Sequence, residues 1–322
     1  MGIWDRARAA KLLAKCLITA LLLLVAFRTV DVAAVSKLLS RISGSWAAAA
    51  FAFTALIIVA DALLLEGVIR AFKRRKPFGT PLLYSLVGWF FSNVAPSTVG
   101  GDVFRGIQLS RVGMSAGAAT RLIVAIRVLS FSTLILVLSA GFPIALRRLS
   151  APRDVVVLGT ILFAGAGAVI TLFLLAHLTS RVPKLEGWTF FHRIDAIAGD
   201  FRMLITPTPR IGAAWLAALA QHLLRIATMA CLGIGLGLGI PFAVLFAFTP
   251  AALLMAMLPI SLGGWGIREL TFVYFLGAAG IGAEAALSLS IAFGLLRVVV
   301  GAIGGAAWVA MNDDHFRVDA SA

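Results

Sequence analysis

Apolar residues fill whole runs of this chain instead of marking one face of a helix or alternate positions of a strand. Six runs of about 20 residues or more stand out, at 12–30, 46–70, 115–146, 153–179, 211–239 and 283–310. Runs of that length are what a helix needs to cross a bilayer. Two further apolar runs, 81–95 and 241–258, are shorter. Each ends at a proline followed by a glycine pair. Proline removes a backbone donor and clashes with the preceding turn, and paired glycines loosen the chain further. Non-helical backbone at membrane depth survives only where protein or a wet cavity surrounds it. The two short runs therefore read as re-entrant, broken helices that line something. The expected fold is all-α and polytopic, with about six full spans and two re-entrant segments.

Composition agrees. Of 322 residues, 61% are apolar and only 13% charged. A soluble domain carries about twice that charge. This excludes a soluble enzyme, a disordered chain and a nucleic-acid-binding domain, although the net charge is +14. In a polytopic protein such an excess marks loops held at the cytoplasmic face. The first apolar run follows Arg6, Arg8, Lys11 and Lys15 and lacks a small-residue cleavage site, so it reads as a first span and not as a leader. Cys16 and Cys231 lie far apart in apolar runs, with no CxxC spacing. His177, His192 and His315 are scattered, so neither a metal nor another cofactor is expected.

The two breaks match each other. Pro96, Gly100, Gly101 and Arg105 recur as Pro259, Gly263, Gly264 and Arg268, always 163 positions later. Arg127 and Arg297, each in the next long run, are 170 apart, which is seven more and close to two helical turns. Such self-similarity signals a repeat. Three spans separate the two motifs. An odd number inverts the second copy, the arrangement found in secondary transporters. The expected organisation is one integral membrane domain over 1–322. Its first repeat half is 12–150, its connecting span and basic loop 151–210, and its second half 211–310. With both broken segments re-entrant, both termini face the cytoplasm. Most Lys and Arg then fall inside, including Lys73 to Lys76 and the 181–210 loop; Arg147, Arg148 and Arg153 fit worst. That loop, with Trp188, Phe190, Phe191 and Phe201 among basic residues, reads as an interfacial helix or a solvated connector.

Ionisable residues inside spans are costly and mark functional sites by default. Arg105, Arg127, Arg268 and Arg297 belong to the repeat. A helix opening at each glycine pair offers free N–H groups and a positive dipole end, and an arginine adds a bidentate phosphate donor. The simplest anion resident in a bilayer is a lipid phosphate. The substrate-binding candidates are these four arginines with Asn93, Pro96, Gly100, Gly101, Asp102, Pro259, Ser261, Gly263, Gly264 and Glu269. The plainer alternative has Asp102 capping its helix and pairing with Arg105 or Arg127, and Glu269 doing the same for Arg268 or Arg297. Asp61, Glu66 and Glu284 are candidate proton carriers, although Glu66 and Arg70 make an ordinary i,i+4 pair. Gln221, His222 and Arg225 read as a helix–helix hydrogen-bond cluster. The glycine-rich runs 163–167 and 301–305 read as helix-packing faces.

The motifs N-x-x-P-x-x-x-G-G-D-x-x-R, from Asn93 to Arg105, and L-P-x-S-x-G-G-x-G-x-R-E, from Leu258 to Glu269, resemble one family. It is the flippase-like transmembrane domain of lysylphosphatidylglycerol synthases, with its free-standing bacterial and archaeal relatives. The resemblance covers about residues 10–310. It implies translocation or handling of a polar lipid in the cytoplasmic (inner) membrane. Partners would be a phospholipid or other polar lipid, a second copy of the chain, or a lipid-biosynthesis enzyme. The bifunctional synthases append an aminoacyl-transferase domain, whereas this sequence stops at Ala322, about twelve residues past its last span. The expectation is therefore a stand-alone member without that activity, acting on a lipid that need not carry lysine; some stand-alone relatives belong to hopanoid and glycolipid pathways. With no nucleotide motif, movement would be downhill or coupled to an ion. A membrane enzyme, or an accessory subunit, acting on a lipid-linked substrate is the first alternative, with Asp102 and Glu269 as acid/base groups. A small-solute secondary transporter is the second.

Overall fold

The computed structural model describes residues 3–28, 31–72, 79–94, 99–111, 113–178, 199, 203, 204, 206, 208–258 and 260–310. Their helices, in chain order, are α1 (Ile3–Arg28), α2 (Val32–Ser40), α3 (Gly44–Ala71), α4 (Gly79–Val94), α5 (Gly100–Arg111), α6 (Ala116–Leu146), α7 (Pro152–Leu178), α8 (Pro209–Gly235), α9 (Phe242–Met257), α10 (Ile267–Ala278) and α11 (Ala283–Ala310). There is no strand among the described residues. Pro96 and Pro259 lie outside them, as does most of the 181–210 loop, including Trp188, Phe190, Phe191 and Phe201.

Helix boundaries follow local chemistry. Asp31 caps α2 by accepting from the Ala33 N–H at 2.8 Å. Ser115 and Thr208 do the same for α6 and α8, and Pro209 opens α8, where a missing N–H costs nothing. Helices α3, α6, α7, α8 and α11 are long and apolar enough to cross a membrane. The chain is thus an all-α, multi-pass membrane protein. The expected first span, 12–30, is less simple. Its last part, Cys16–Arg28, meets Val32–Ser40 at 90°, and only that bent pair taken together gives a sixth span.

Both short apolar runs become hairpins. Helices α4 and α9 have 16 residues each, α5 and α10 have 12. At 1.5 Å per residue they are about 24 and 18 Å long, short of the roughly 30 Å hydrocarbon core. In each hairpin the second helix folds back on the first. Phe104 of α5 stacks on Phe91 of α4 at 5.0 Å, and Phe275 of α10 stacks on Phe248 of α9 at 5.7 Å. The order short helix, break, shorter helix, long helix therefore occurs twice.

Small residues set the packing, as expected where helices approach closely in lipid. Gly67 of α3 lies against Ala214 of α8, Gly141 of α6 against Ala247 of α9, and Gly304 and Gly305 of α11 against Leu86 and Phe90 of α4. Helix α7 is peripheral: only 17% of its apolar window is buried, against half or more in the other four spans. Phe163, Ile170 and Leu174 face outward from it.

Candidate functional site

Four spanning helices each place one charged residue in their middle third: Asp61 on α3, Arg127 on α6, Arg225 on α8 and Arg297 on α11. Hairpin α4–α5 brings Arg105 and Asp102 to the same place. All six line one polar cavity of about 200 Å³, together with Trp89, Ser92, Ser130, Gln221 and His222. Its charges are organised as a chain. Buried Arg105 pairs with buried Asp61, and Arg105 Nη1 lies 3.8 Å from Asp102. Asp102 in turn pairs with Arg127 Nε. On α8, Arg225 donates to Gln221 Oε1 at 3.1 Å and lies 3.3 Å from His222 Nδ1, while His222 Nε2 reaches the Ser130 carbonyl of α6 at 2.8 Å. Arg297 sits 5.9 Å from the Trp89 ring, and its carbonyl accepts from Asn93 Nδ2 at 3.2 Å.

The second break differs from the first. Gly263, Gly264 and Gly266 all adopt positive φ (57°, 81° and 86°), which side chains resist. Gly266 lies against Thr19 and Leu22 of α1, and Thr19 Oγ1 accepts from the Leu262 N–H at 2.8 Å. Helix α10 begins at Ile267, past the glycine pair, and its N-terminus is taken by its own side chain: Glu269 Oε2 accepts from the Gly266 N–H at 2.6 Å. Glu269 also pairs with Arg268, whose Nε donates to Ser290 Oγ at 3.1 Å. Arg268 and Glu269 are 1% and 0% exposed, so this pair is sealed inside the protein. Trp265 and Phe293 flank the guanidinium at 4.8 and 5.6 Å.

The residues singled out from the sequence thus divide. Arg105, Arg127, Arg297, Asp102, Asp61 and Gly263 line the cavity; Arg268 and Glu269 lie behind it as a neutral pair. Asn93 ties α4 to α11. Gly101 packs α5 on α4, and Ser261 is buried in the second break; neither lines the cavity, and nor do Gly100 and Gly264. Glu66 pairs with Arg70 at 2.5 Å, away from the cavity. Glu284 is thirteen residues before Arg297, about 20 Å along α11. Gln221, His222 and Arg225 make the expected hydrogen-bond cluster, with His222 crossing to α6, but all three also line the cavity, which that reading did not anticipate. Their signal was present, since an arginine in mid-span has no cheap structural use.

Beside the polar cavity lies an apolar groove of about 1030 Å³. Its walls are α5 (Val103, Ile107) and α7 (Val169, Leu172), and its floor is α6 (Ile123, Val124, Val128). Gly106 leaves open space on the α5 wall. Asp102, Arg127 and Met257 line both spaces, so groove and cavity meet there. An apolar trough joined to arginines at mid-span has the two-part character of a lipid. The family pattern described as lysylphosphatidylglycerol synthase TM region matches residues 12–305. The chain belongs to that family. Membership links it to lipid handling in a membrane, and the matched range includes both break motifs. Among curated proteins none is similar enough to stand as a relative. Among the described residues no group of His, Cys, Asp and Glu is arranged to hold a metal ion.

Proposed function

We propose that the protein carries a phosphate-bearing polar lipid between the leaflets of the cytoplasmic membrane. One observation supports this most: the apolar groove runs into the arginine-lined cavity at Asp102 and Arg127. Acyl chains would lie in the groove, and the headgroup phosphate would meet guanidinium groups where backbone and water cannot solvate it. Arg105, Arg127, Arg225 and Arg297 are the phosphate-facing residues in this reading. The hairpins α4–α5 and α9–α10 would be the paired elements of an inverted repeat, exchanging access from one face to the other around a fixed site. Of the three candidate proton carriers, Asp61 lines the cavity and would be the one to couple movement to protons.

The test is reconstitution in liposomes carrying a headgroup-labelled phospholipid, with quenching restricted to the outer leaflet. Gly106→Trp fills the groove at a point where an added Cβ meets nothing within 4 Å. Tryptophan is a better helix former than glycine by about 0.5 kcal/mol, so the helix itself is not weakened. Wild type should make the inner-leaflet label accessible, chemically unchanged, and Gly106→Trp should not. Equal rates for the two proteins would sink the groove; a converted lipid would point to an enzyme.

A further inference from the structure

The charges of the cavity do not balance, and the imbalance bears on which headgroup fits. Resting on the lipid-carrier reading above, we infer that the cavity selects a small headgroup bearing two negative charges, a phosphomonoester, and rejects a cationic aminoacylated one. Four arginines face the cavity against two carboxylates, Asp61 and Asp102. Both carboxylates are engaged, Asp61 by Arg105 and Asp102 by Arg127. Arg225 and Arg297 have no carboxylate at ion-pair distance among the described residues. Including the sealed Arg268–Glu269 pair leaves the excess at two, and a proton on His222 would only add to it.

A separate observation points the same way. Gln221 is 3% exposed and lines the cavity; its Oε1 accepts from Arg225, while its Nε2 is buried with no hydrogen-bond partner. A buried donor left unmade is costly, so it calls for an acceptor from outside the protein. Two guanidinium groups and one amide N–H line the same cavity, all of them donors suited to an anion and none to an ammonium group. A phosphomonoester carries about −1.5 to −2 charge at neutral pH and three acceptor oxygens, which matches the excess. A cavity of about 200 Å³ accommodates that group but not a chain of sugars. An aminoacylated headgroup adds a cation where the nearest carboxylates are already taken.

The probes are dioleoyl phosphatidic acid, dioleoyl phosphatidylcholine, a synthetic lysylated phosphatidylglycerol and inorganic phosphate. Each is titrated against the full-length protein in uncharged detergent, with binding read by native mass spectrometry. Phosphatidic acid should bind tightest, with inorganic phosphate weaker because it lacks acyl chains. Arg225→Gln and Arg297→Gln should each lower the preference for phosphatidic acid over phosphatidylcholine about tenfold or more. Gln221→Leu should do so less steeply, which gives a neutral variant in case an arginine variant fails to fold. Equal binding of phosphatidic acid and phosphatidylcholine, or preference for the lysylated lipid, overturns the charge selection while leaving a lipid carrier standing. Inorganic phosphate binding as tightly as phosphatidic acid, or no binding by any lipid, overturns the carrier reading with it.

Discussion

The Arg127 guanidinium pairs with the Asp102 carboxylate at the seam between the apolar groove and the polar cavity. Both side chains line both spaces, so the pair stands where a headgroup leaving the groove would have to pass.

Asp102→Asn removes the charge that Arg127 and Arg105 share. The Arg127 side chain is 33% exposed, so the loss is smaller than for a sealed pair, about 1–2 kcal/mol. Thermal unfolding in detergent measures it. The cavity excess rises from two to three charges, and binding of phosphatidic acid over phosphatidylcholine should strengthen. A weaker preference would mean that Asp102 serves to position Arg127 and not to neutralise it.

Replacing Glu269 alone by Gln leaves Arg268 charged and sealed and weakens the cap of α10. Breaking a buried pair in this way costs about 3–5 kcal/mol. The double change Arg268→Met with Glu269→Gln removes both charges and should recover much of that loss. Unfolding of the wild type, both single variants and the double variant closes the cycle. A double variant that still moves lipid would assign the pair to the scaffold; one that folds and is inert would return Arg268 to the site.

Gly101 and Gly106 sit on the same helix but answer differently to alanine. A Cβ on Gly101 would overlap the Gly88 carbonyl and Ser92 Oγ, both on α4, whereas one on Gly106 meets nothing. Gly101→Ala should destabilise by about 1–3 kcal/mol. Gly106→Ala should be neutral or stabilise by up to about 1 kcal/mol. Similar unfolding temperatures for the two would contradict the close approach of α4 and α5.

Tyr274 on α10 donates to Asp154 at 2.5 Å and so ties the start of peripheral α7 to the second hairpin. Tyr274→Phe should cost about 1–2 kcal/mol, with the loss concentrated at that end of α7. Hydrogen exchange by residue checks the location: uniform exchange along α7 in the variant would contradict it.

Much of this was legible in the sequence because long spans and proline–glycine breaks are local signals. The five long spans and both hairpins follow from run length and punctuation alone. Arg105 with Asp61 was not legible, since the partners are 44 positions apart and on different helices. Arg225 was hidden by its own neighbours, Gln221 and His222, which offer a sufficient local explanation at i−4 and i−3. Arg268 was misplaced for the opposite reason. Its counterpart in the first motif, Arg105, pairs with a carboxylate on another helix, while Arg268 pairs with the adjacent Glu269, and spacing cannot tell these apart. The groove left no trace, because residues such as Ile107 and Val124 are as apolar as those facing lipid.

Arg225 and Arg297, with no carboxylate at ion-pair distance among the described residues, also bear on voltage. They sit near the middle of their spans, where a moving charge crosses a share of the membrane potential. One elementary charge taken through the whole field changes the energy by about 2.3 kcal/mol per 100 mV. An empty cavity carrying two positive charges would feel that field each time access changes sides. A cavity filled by a doubly negative headgroup would not. The step that carries lipid would then be electrically silent, and the return of the empty protein would set how the cycle responds to membrane potential.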